Sequence, residues 1–358
     1  MRGLCIVTCH RASIIAAARF RVGRKHSIVL ASLCDAAALA RPKLGYVVRV
    51  QYPQNERQPL RPFEAMLRPE YLLHPSQVWR RLRRHSLCSR NAVRFAWGLP
   101  VEIDASSWVG VDVINIGVHD RVVAEAICRL LDSGEDAFDI GANIGQNSSI
   151  MALVAGPRGH VVAFEPSPVA WGLLTRNVES WAAYDLAPFT LVRKGVSSKI
   201  GEGLLHESLD LGGFSLEDRP PGPPRAAPEG ARGISIELTT LDAFAPRPNS
   251  IGLIKIDVEG HELAVLQGAT RIIEQGLARD IVFEDFNPQP SPVTVHLRAA
   301  GYEVFGLLQA WHKPVLLPLR VSKPSLTNFL ATRDPDRARA RFEGAGWRCL
   351  RLRARRKR

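Results

Sequence analysis

From residue 137 onward the chain alternates short, solid apolar runs with stretches whose apolar positions recur at helical spacing. The runs at 137–140, 160–164, 189–193, 251–256 and 281–283 have the length and purity of strands covered on both faces. Between them, helical patterns begin near Asn147, Val169, Glu262 and Pro292. This rhythm predicts a mostly parallel sheet with crossover helices on both faces. Two later runs, 302–308 and 326–331, predict an antiparallel closing pair. The expected fold class is α/β.

The flanks read differently. Residues 101–134 mix short apolar runs with polar positions and end in a helix over 121–131. The N-I-G-V-H-D segment at 115–120 reads as a turn that can lie over a ligand, with His119 either a surface residue or a substrate contact. Residues 211–233, carrying G-G, P-P-G-P-P and A-A-P-E-G, predict a loop insertion that neither pairs in a sheet nor holds a helix. That loop is either a substrate-access lid or a surface linker. Three segments result: a partly ordered extension over 1–95, a catalytic-size domain over 96–335, and a tail over 336–358.

Charge sharpens this division. The 358 residues carry 47 Lys+Arg and 35 Asp+Glu, a net +12. Residues 1–95 hold 18 basic against 4 acidic, residues 96–347 hold 22 against 31, and residues 348–358 hold 7 against none. The basic balance thus belongs to the two ends, and the body is acidic. The ends, including Arg80, Arg81, Arg83 and Arg84, offer weak contact to an anionic surface, and the last eleven residues are expected to be disordered. Nothing in them reads as a folded nucleic-acid-binding module, so no specific nucleic acid is expected.

Cys5, Cys9, Cys34, Cys88, Cys128 and Cys349 are scattered without a C-x-x-C pair, which suits neither a disulfide framework nor a zinc ribbon. A reducing, cytoplasmic compartment is expected. No apolar run approaches the ~18 residues of a membrane span, and 14–18 is too short for a signal core.

The candidate chemistry gathers at strand ends, where open α/β sheets bind ligands. Asp139, Gly141, Ala142, Asn143 and Gly145 follow the first strand in D-I-G-A-N-I-G. Small residues there let backbone approach a nucleotide-like ligand, and the following helix start offers unpaired N–H donors. The third glycine of G-x-G-x-x-G is absent, which argues against a dinucleotide. Glu165 and Pro166 end the second strand, placing a carboxylate where a ribose diol can donate to it. Gly195, Val196 and Ser197 follow the third strand. Asp257, Glu259 and His261 follow the fourth.

Three segments together carry a resemblance: 138–147, 162–168, and I-K-I-D-V-E-G-H-E at 254–262 followed by V-L-Q-G-A. They resemble class I S-adenosylmethionine-dependent methyltransferases, and specifically the FkbM family, across about residues 100–335. The resemblance implies a Rossmann-like class I methyltransferase sheet, S-adenosyl-L-methionine as cofactor, and O-methylation, often of sugar or polyketide hydroxyls. Two departures keep the acceptor open: Gln146 stands where that family often has an aromatic or small residue, and the Pro-rich insertion is atypical.

An alcohol acceptor must lose its proton as the new C–O bond forms, which calls for a base or a metal. Asp257, Glu259 and His261 are the base candidates, with Lys255 behind them. Gly260 suggests a tight turn and Glu262 a helix cap. No dedicated metal site is expected, although Asp257 with Asp285 and Asn287 would form an oxygen set for Mg²⁺, with Glu284 competing as the inward residue. The expected function is methyl transfer from S-adenosyl-L-methionine to a hydroxyl on a small molecule or glycan. A basic-armed binding protein with a vestigial cofactor pocket is the alternative. An NAD-linked oxidoreductase has a suitable sheet but an unsuitable loop.

Overall fold

The computed structural model describes residues 4–6, 17–19, 93–105, 107–207, 214–218, 233–244, 251–319 and 326–357. The first 59 residues form one unit, in which β1 (Leu4–Ile6) and β2 (Ala17–Arg19) pair antiparallel. The basic cluster at 80–84 lies outside the described residues.

The second unit is built on an eight-stranded sheet. Its parallel part contains β3 (Asp136–Ile140), β4 (His160–Phe164), β5 (Phe189–Val192), β10 (Ile251–Ile256) and β11 (Ala278–Glu284). All five overlap predicted runs, because strands covered on both faces are mostly apolar. The antiparallel edge contains β12 (Glu303–Gln309), β13 (Pro314–Pro318) and β14 (Asn328–Thr332). The order is β13-β12-β14-β11-β10-β3-β4-β5. The last strand, β14, inserts antiparallel between β11 and β12. This is the mostly parallel, Rossmann-like sheet of the class I methyltransferases.

Crossover helices cover both faces. They are α1 (Trp108–Asn115), α2 (Arg121–Leu130), α3 (Gln146–Ala155), α4 (Pro168–Ser180), α5 (Glu262–Gln267), α6 (Thr270–Glu274) and α7 (Pro292–Ala299). Local signals fix several starts. Ser107, Ser167 and Ser291 cap α1, α4 and α7 by accepting the N–H three residues on, and Pro168 and Pro292 fill positions whose N–H would be unpaired anyway. From β3 the chain steps through β4 to β5, then returns to place β10 on the other side of β3. The crossovers after β3 and β10 therefore run toward opposite edges of the sheet, which opens a crevice at the carboxyl ends of the central strands.

The insertion expected over 211–233 needs correction. Phe214–Asp218 forms a strand, β8, paired with β7 (Gly201–Glu207), and β9 starts at Gly233. With β6 (Gly195–Val196) these make a four-stranded sheet, β6-β9-β7-β8. The prolines begin only after this strand, and F-S-L-E-D alternates as a strand should. The Pro-rich part, 219–232, lies outside the described residues.

The tail is also corrected. Helix α8 (Pro335–Glu343) is followed by Trp347, Cys349 and Leu350, all buried in the core. The Cys349 N–H donates to Glu125 at 2.8 Å and the Ala354 N–H to the Trp97 carbonyl at 2.8 Å. The arginines stay outside while a few apolar residues anchor the backbone, so the basic composition concealed a packed segment. The amino-terminal edge of the domain likewise includes buried Phe95, whose ring stacks on Trp97 with centroids 4.8 Å apart. Cys128 and Cys349 are free, buried thiols. Among the described residues no helix is long and apolar enough to cross a membrane.

Candidate active site

A cavity of about 570 Å³ occupies the crevice predicted by the strand order. That volume lies within the ~300–1,000 Å³ of small-molecule sites. One end is built by the loop after β3 and by the ends of β4 and β6, with Gly141, Ala142, Asn143, Glu165, Pro166 and Val196 on its wall. The other end holds His119, Asp257, Glu259 and Glu284, flanked by the exposed rings of Trp108 and Phe286.

At the first end Glu165 is fixed before any ligand arrives. Its two oxygens accept the Asn143 N–H and the Ser167 N–H, each at 2.8 Å. Burial pushes its carboxyl up to about 7 in spite of those bonds. Each oxygen keeps a further lone pair for a hydroxyl donor. Asn147, not singled out from the sequence, also lines this end, and its Oδ1 is buried without a hydrogen-bond partner. An orphaned acceptor on a cavity wall is costly unless a ligand donor satisfies it.

Three predicted cofactor residues are placed away from the cavity wall. Asp139 is fully buried, accepts from Ser148 Oγ at 2.5 Å and faces Lys255 Nζ at 3.4 Å. Gly145 starts α3 at φ 88°, a left-handed conformation that favours glycine. Ser197 is buried and meets His261. Gly141 does line the cavity, yet its absent Cβ serves another purpose as well. At φ 76° a Cβ would come within 2.0 Å of the Asp257 carbonyl, so the glycine lets the loops after β3 and β10 touch.

The acceptor end is organised by a left-handed turn at Glu259 (φ 53°) and Gly260 (φ 98°). Glu262 holds it by accepting the Val258 and Gly260 N–H groups at 3.3 and 3.0 Å. Through this turn Asp257 and Glu259 face the cavity, while the His261 ring is directed to Ser197 Oγ at 3.0 Å and does not line it. The expectation that His261 sits beside the acceptor is thereby corrected: position near a strand end does not set side-chain direction after such a turn. Lys255 is buried, donates to the Gly141 carbonyl at 2.8 Å and lies 3.5 Å from Asp257. Burial opposes its charge, but Asp257 and Asp139 outweigh that and hold its pKa above the usual value, so it cannot serve as a base near neutrality.

Glu284 is the inward residue at the end of β11. Burial first, then the charge and hydrogen bond of Asp257, push its carboxyl up to about 9. It therefore holds its proton more tightly than an ordinary glutamate does. Glu259 is raised by burial and by its neighbours Asp257 and Glu262. Oxygens of Asp257, Glu259 and Glu284 lie within 4.8 Å of one another, a set of a kind that can take a cation. The Mg²⁺ set considered with Asp285 and Asn287 is not assembled. Asp285 is buried and occupied by Asn287, Gln289 and Ser291 at the start of α7.

His119 is the other residue that sequence reasoning left undecided. Its Nδ1 lies 2.9 Å from Asp112 Oδ2. Gln146 clamps its backbone on both sides, accepting the His119 N–H at 2.6 Å and donating to the His119 carbonyl at 2.8 Å. The departure at Gln146 thus has a structural role: it ties the turn at 115–120 to the start of α3.

The methyltransferase FkbM domain family matches residues 139–304. The hexuronic acid methyltransferase AglP of Haloferax volcanii is 32% identical over 161 residues, covering 42% of this chain and 57% of that protein. The methyltransferase sdnD of Sordaria araneosa is 32% identical over 222 residues, covering 52% of this chain and 82% of that protein. The chain belongs to the FkbM methyltransferase family. Its cofactor is accordingly S-adenosyl-L-methionine. A solved S-adenosylmethionine-dependent O-methyltransferase of Thermotoga maritima superposes with a TM-score of 0.35 at 12% identity, over 63% of this chain and 70% of that one. The cavity suits the family's cofactor: a fixed carboxylate answers its ribose diol, and the orphaned Asn147 oxygen answers a donor such as its ammonium group.

Proposed function

We propose that the chain methylates a hydroxyl oxygen on a neutral, hydroxyl-rich small molecule or glycan. Supporting this reading is the composition of the acceptor end, where Asp257, Glu259 and Glu284 share one wall with His119. An anionic acceptor would be repelled there, whereas hydroxyls can donate to the carboxylates. Trp108 and Phe286 add apolar faces on which a ring can rest. AglP is described as acting on a hexuronic acid, which offers both hydroxyls and a carboxylate. A carboxylate acceptor needs no deprotonation, so the acidic wall favours the hydroxyl.

Bound S-adenosylmethionine supplies a methyl group on a sulfonium, whose C–S electron pair leaves with sulfur. The protein's residues do the rest. Glu165, Pro166, Val196, Asn143 and Asn147 hold the cofactor end, while Asp257 and Glu259 orient the acceptor. The Gly141–Asp257 contact fixes the two ends relative to one another, and such positioning supplies much of the rate in an in-line displacement. A cytoplasmic setting agrees with this use of a common metabolite.

The experiment compares methyl β-D-glucoside with methyl β-D-glucuronide as acceptors for isotope-labelled methyl. Preference for the neutral sugar is expected. Preference for the uronide would overturn the neutral acceptor, and label found in its carboxyl ester would overturn the hydroxyl reading. Binding of S-adenosylhomocysteine with label entering neither sugar would move the acceptor outside the sugars, and failure to bind it would favour a vestigial pocket.

A further inference from the structure

We propose that His119 is the catalytic base, with Asp112 orienting its ring and Gln146 holding its backbone. This rests on the hydroxyl-methylation reading and adds to it the group that takes the proton. Of the residues at the end of β10, His261 is turned to Ser197, and Lys255 is buried between two carboxylates. Asp257, Glu259 and Glu284, whose oxygens crowd within 4.8 Å of one another, are assigned to orienting the acceptor. Asp257 is engaged by Lys255 and by Glu284. His119 alone among these pairs a titratable nitrogen near neutrality with a place on the cavity wall.

Its tautomer follows from its partner. Asp112 is an acceptor, so Nδ1 must carry the hydrogen of the 2.9 Å bond, and the lone pair of the neutral ring lies on Nε2. As the acceptor oxygen bonds to the methyl carbon, its proton passes to Nε2. The imidazolium so formed is stabilised by Asp112, and the C–S electron pair departs on sulfur. Burial works against a charged ring, but the bond to Asp112 and the charges of Asp112, Asp120 and Asp257 exceed it, so the pKa is raised. The adjoining Asp120 accepts from Asn328 at 2.8 Å. A raised pKa makes the neutral ring a stronger base. The two bonds to Gln146 fix the backbone of His119 to the first turn of α3, the same turn that borders the cofactor end.

The test combines NMR of ¹⁵N-histidine-labelled full-length protein with kinetics. In the wild type His119 should show the Nδ1–H tautomer and titrate above the ordinary ~6.5. Asp112→Asn should move that midpoint down. With methyl β-D-glucoside as acceptor, kcat/KM should rise with pH through the same midpoint, and the rising limb should shift with Asp112→Asn. His119→Gln should lose the limb and about 10² to 10⁴ in kcat, with S-adenosylhomocysteine affinity unchanged. An Nε2–H tautomer, turnover of His119→Gln within threefold of wild type, or loss of S-adenosylhomocysteine binding in that variant each overturns the proposal. If the wild type methylates only the carboxyl of the glucuronide, the hydroxyl reading fails by itself, and if it methylates neither sugar, the acceptor lies outside the sugars. The base assignment is then decided by the tautomer and by the response of the midpoint to Asp112→Asn.

Discussion

Glu165 offers a direct handle on the cofactor end. Its carboxyl is pushed up to about 7 by burial, although both oxygens accept backbone N–H groups. A ribose diol donating to both oxygens requires the ionised form, so binding below pH 7 must release a proton. Affinity for S-adenosylhomocysteine should therefore fall about tenfold per pH unit below 7 and level off above it. At pH 5.5 the loss is about 30-fold, or about 2 kcal/mol at 1.36 kcal/mol per unit. For folding the sign is opposite. An ordinary glutamate titrates near ~4.3, and the folded chain keeps a proton that the unfolded chain has released between there and 7. The group's contribution to stability is complete below the unfolded value and lost as pH rises through 7. Glu165→Gln sets an amide NH₂ against one of the two backbone donors and costs about 1.5–3 kcal/mol of cofactor affinity, while abolishing the pH slope. Isothermal titration from pH 5.5 to 8.5, repeated in buffers of different ionisation enthalpy, counts the proton. A flat affinity profile in the wild type, or the same slope in Glu165→Gln, refutes the reasoning.

Gly141→Ala places a methyl 2.0 Å from the Asp257 carbonyl in a left-handed conformation, so we expect a loss of about 2–4 kcal/mol in stability and weaker cofactor binding, read by denaturant melts and titration. Gln146→Ala removes both bonds to the His119 backbone and should lower kcat about tenfold to 10² with S-adenosylhomocysteine affinity within threefold; an unchanged kcat would show the clamp to be idle. Trp347→Ala should cost about 3–5 kcal/mol, seen as a lower urea midpoint at constant slope, because its ring is buried beneath Arg121 at 4.4 Å. A disordered tail would give no change.

The central sheet was legible in the sequence because strands buried on both faces admit almost no polar residue. In I-G-L-I-K-I every position is buried and the one lysine is satisfied by carbonyls and carboxylates. The second sheet was hidden because its strand Phe214–Asp218 adjoins a proline-rich run that dominates the local composition. The packed tail was hidden for a similar reason, since Trp347, Cys349 and Leu350 are few among arginines. At the site, position along a strand indicated which end matters but not which way a side chain turns. Asp257 and Glu259 face the cavity and His261 does not. Glu284, the last residue of β11, lines the cavity, while Asp285, just past the strand, is taken up by the start of α7. The roles of His119, Gln146 and Asn147 depend on contacts between distant segments. The sequence signals for them were the turn at 115–120, which left His119 undecided, and the unusual residue at Gln146.

The identity of the bond made to the methyl carbon tests the account most directly. Full-length protein supplied with ¹³C-methyl-labelled S-adenosylmethionine and a neutral glycoside should yield a carbon spectrum of a methyl ether, stable to mild alkali and absent with Glu165→Gln at cofactor concentrations below the variant's Kd. A methyl found on nitrogen, carbon or an alkali-labile carboxyl ester would contradict it.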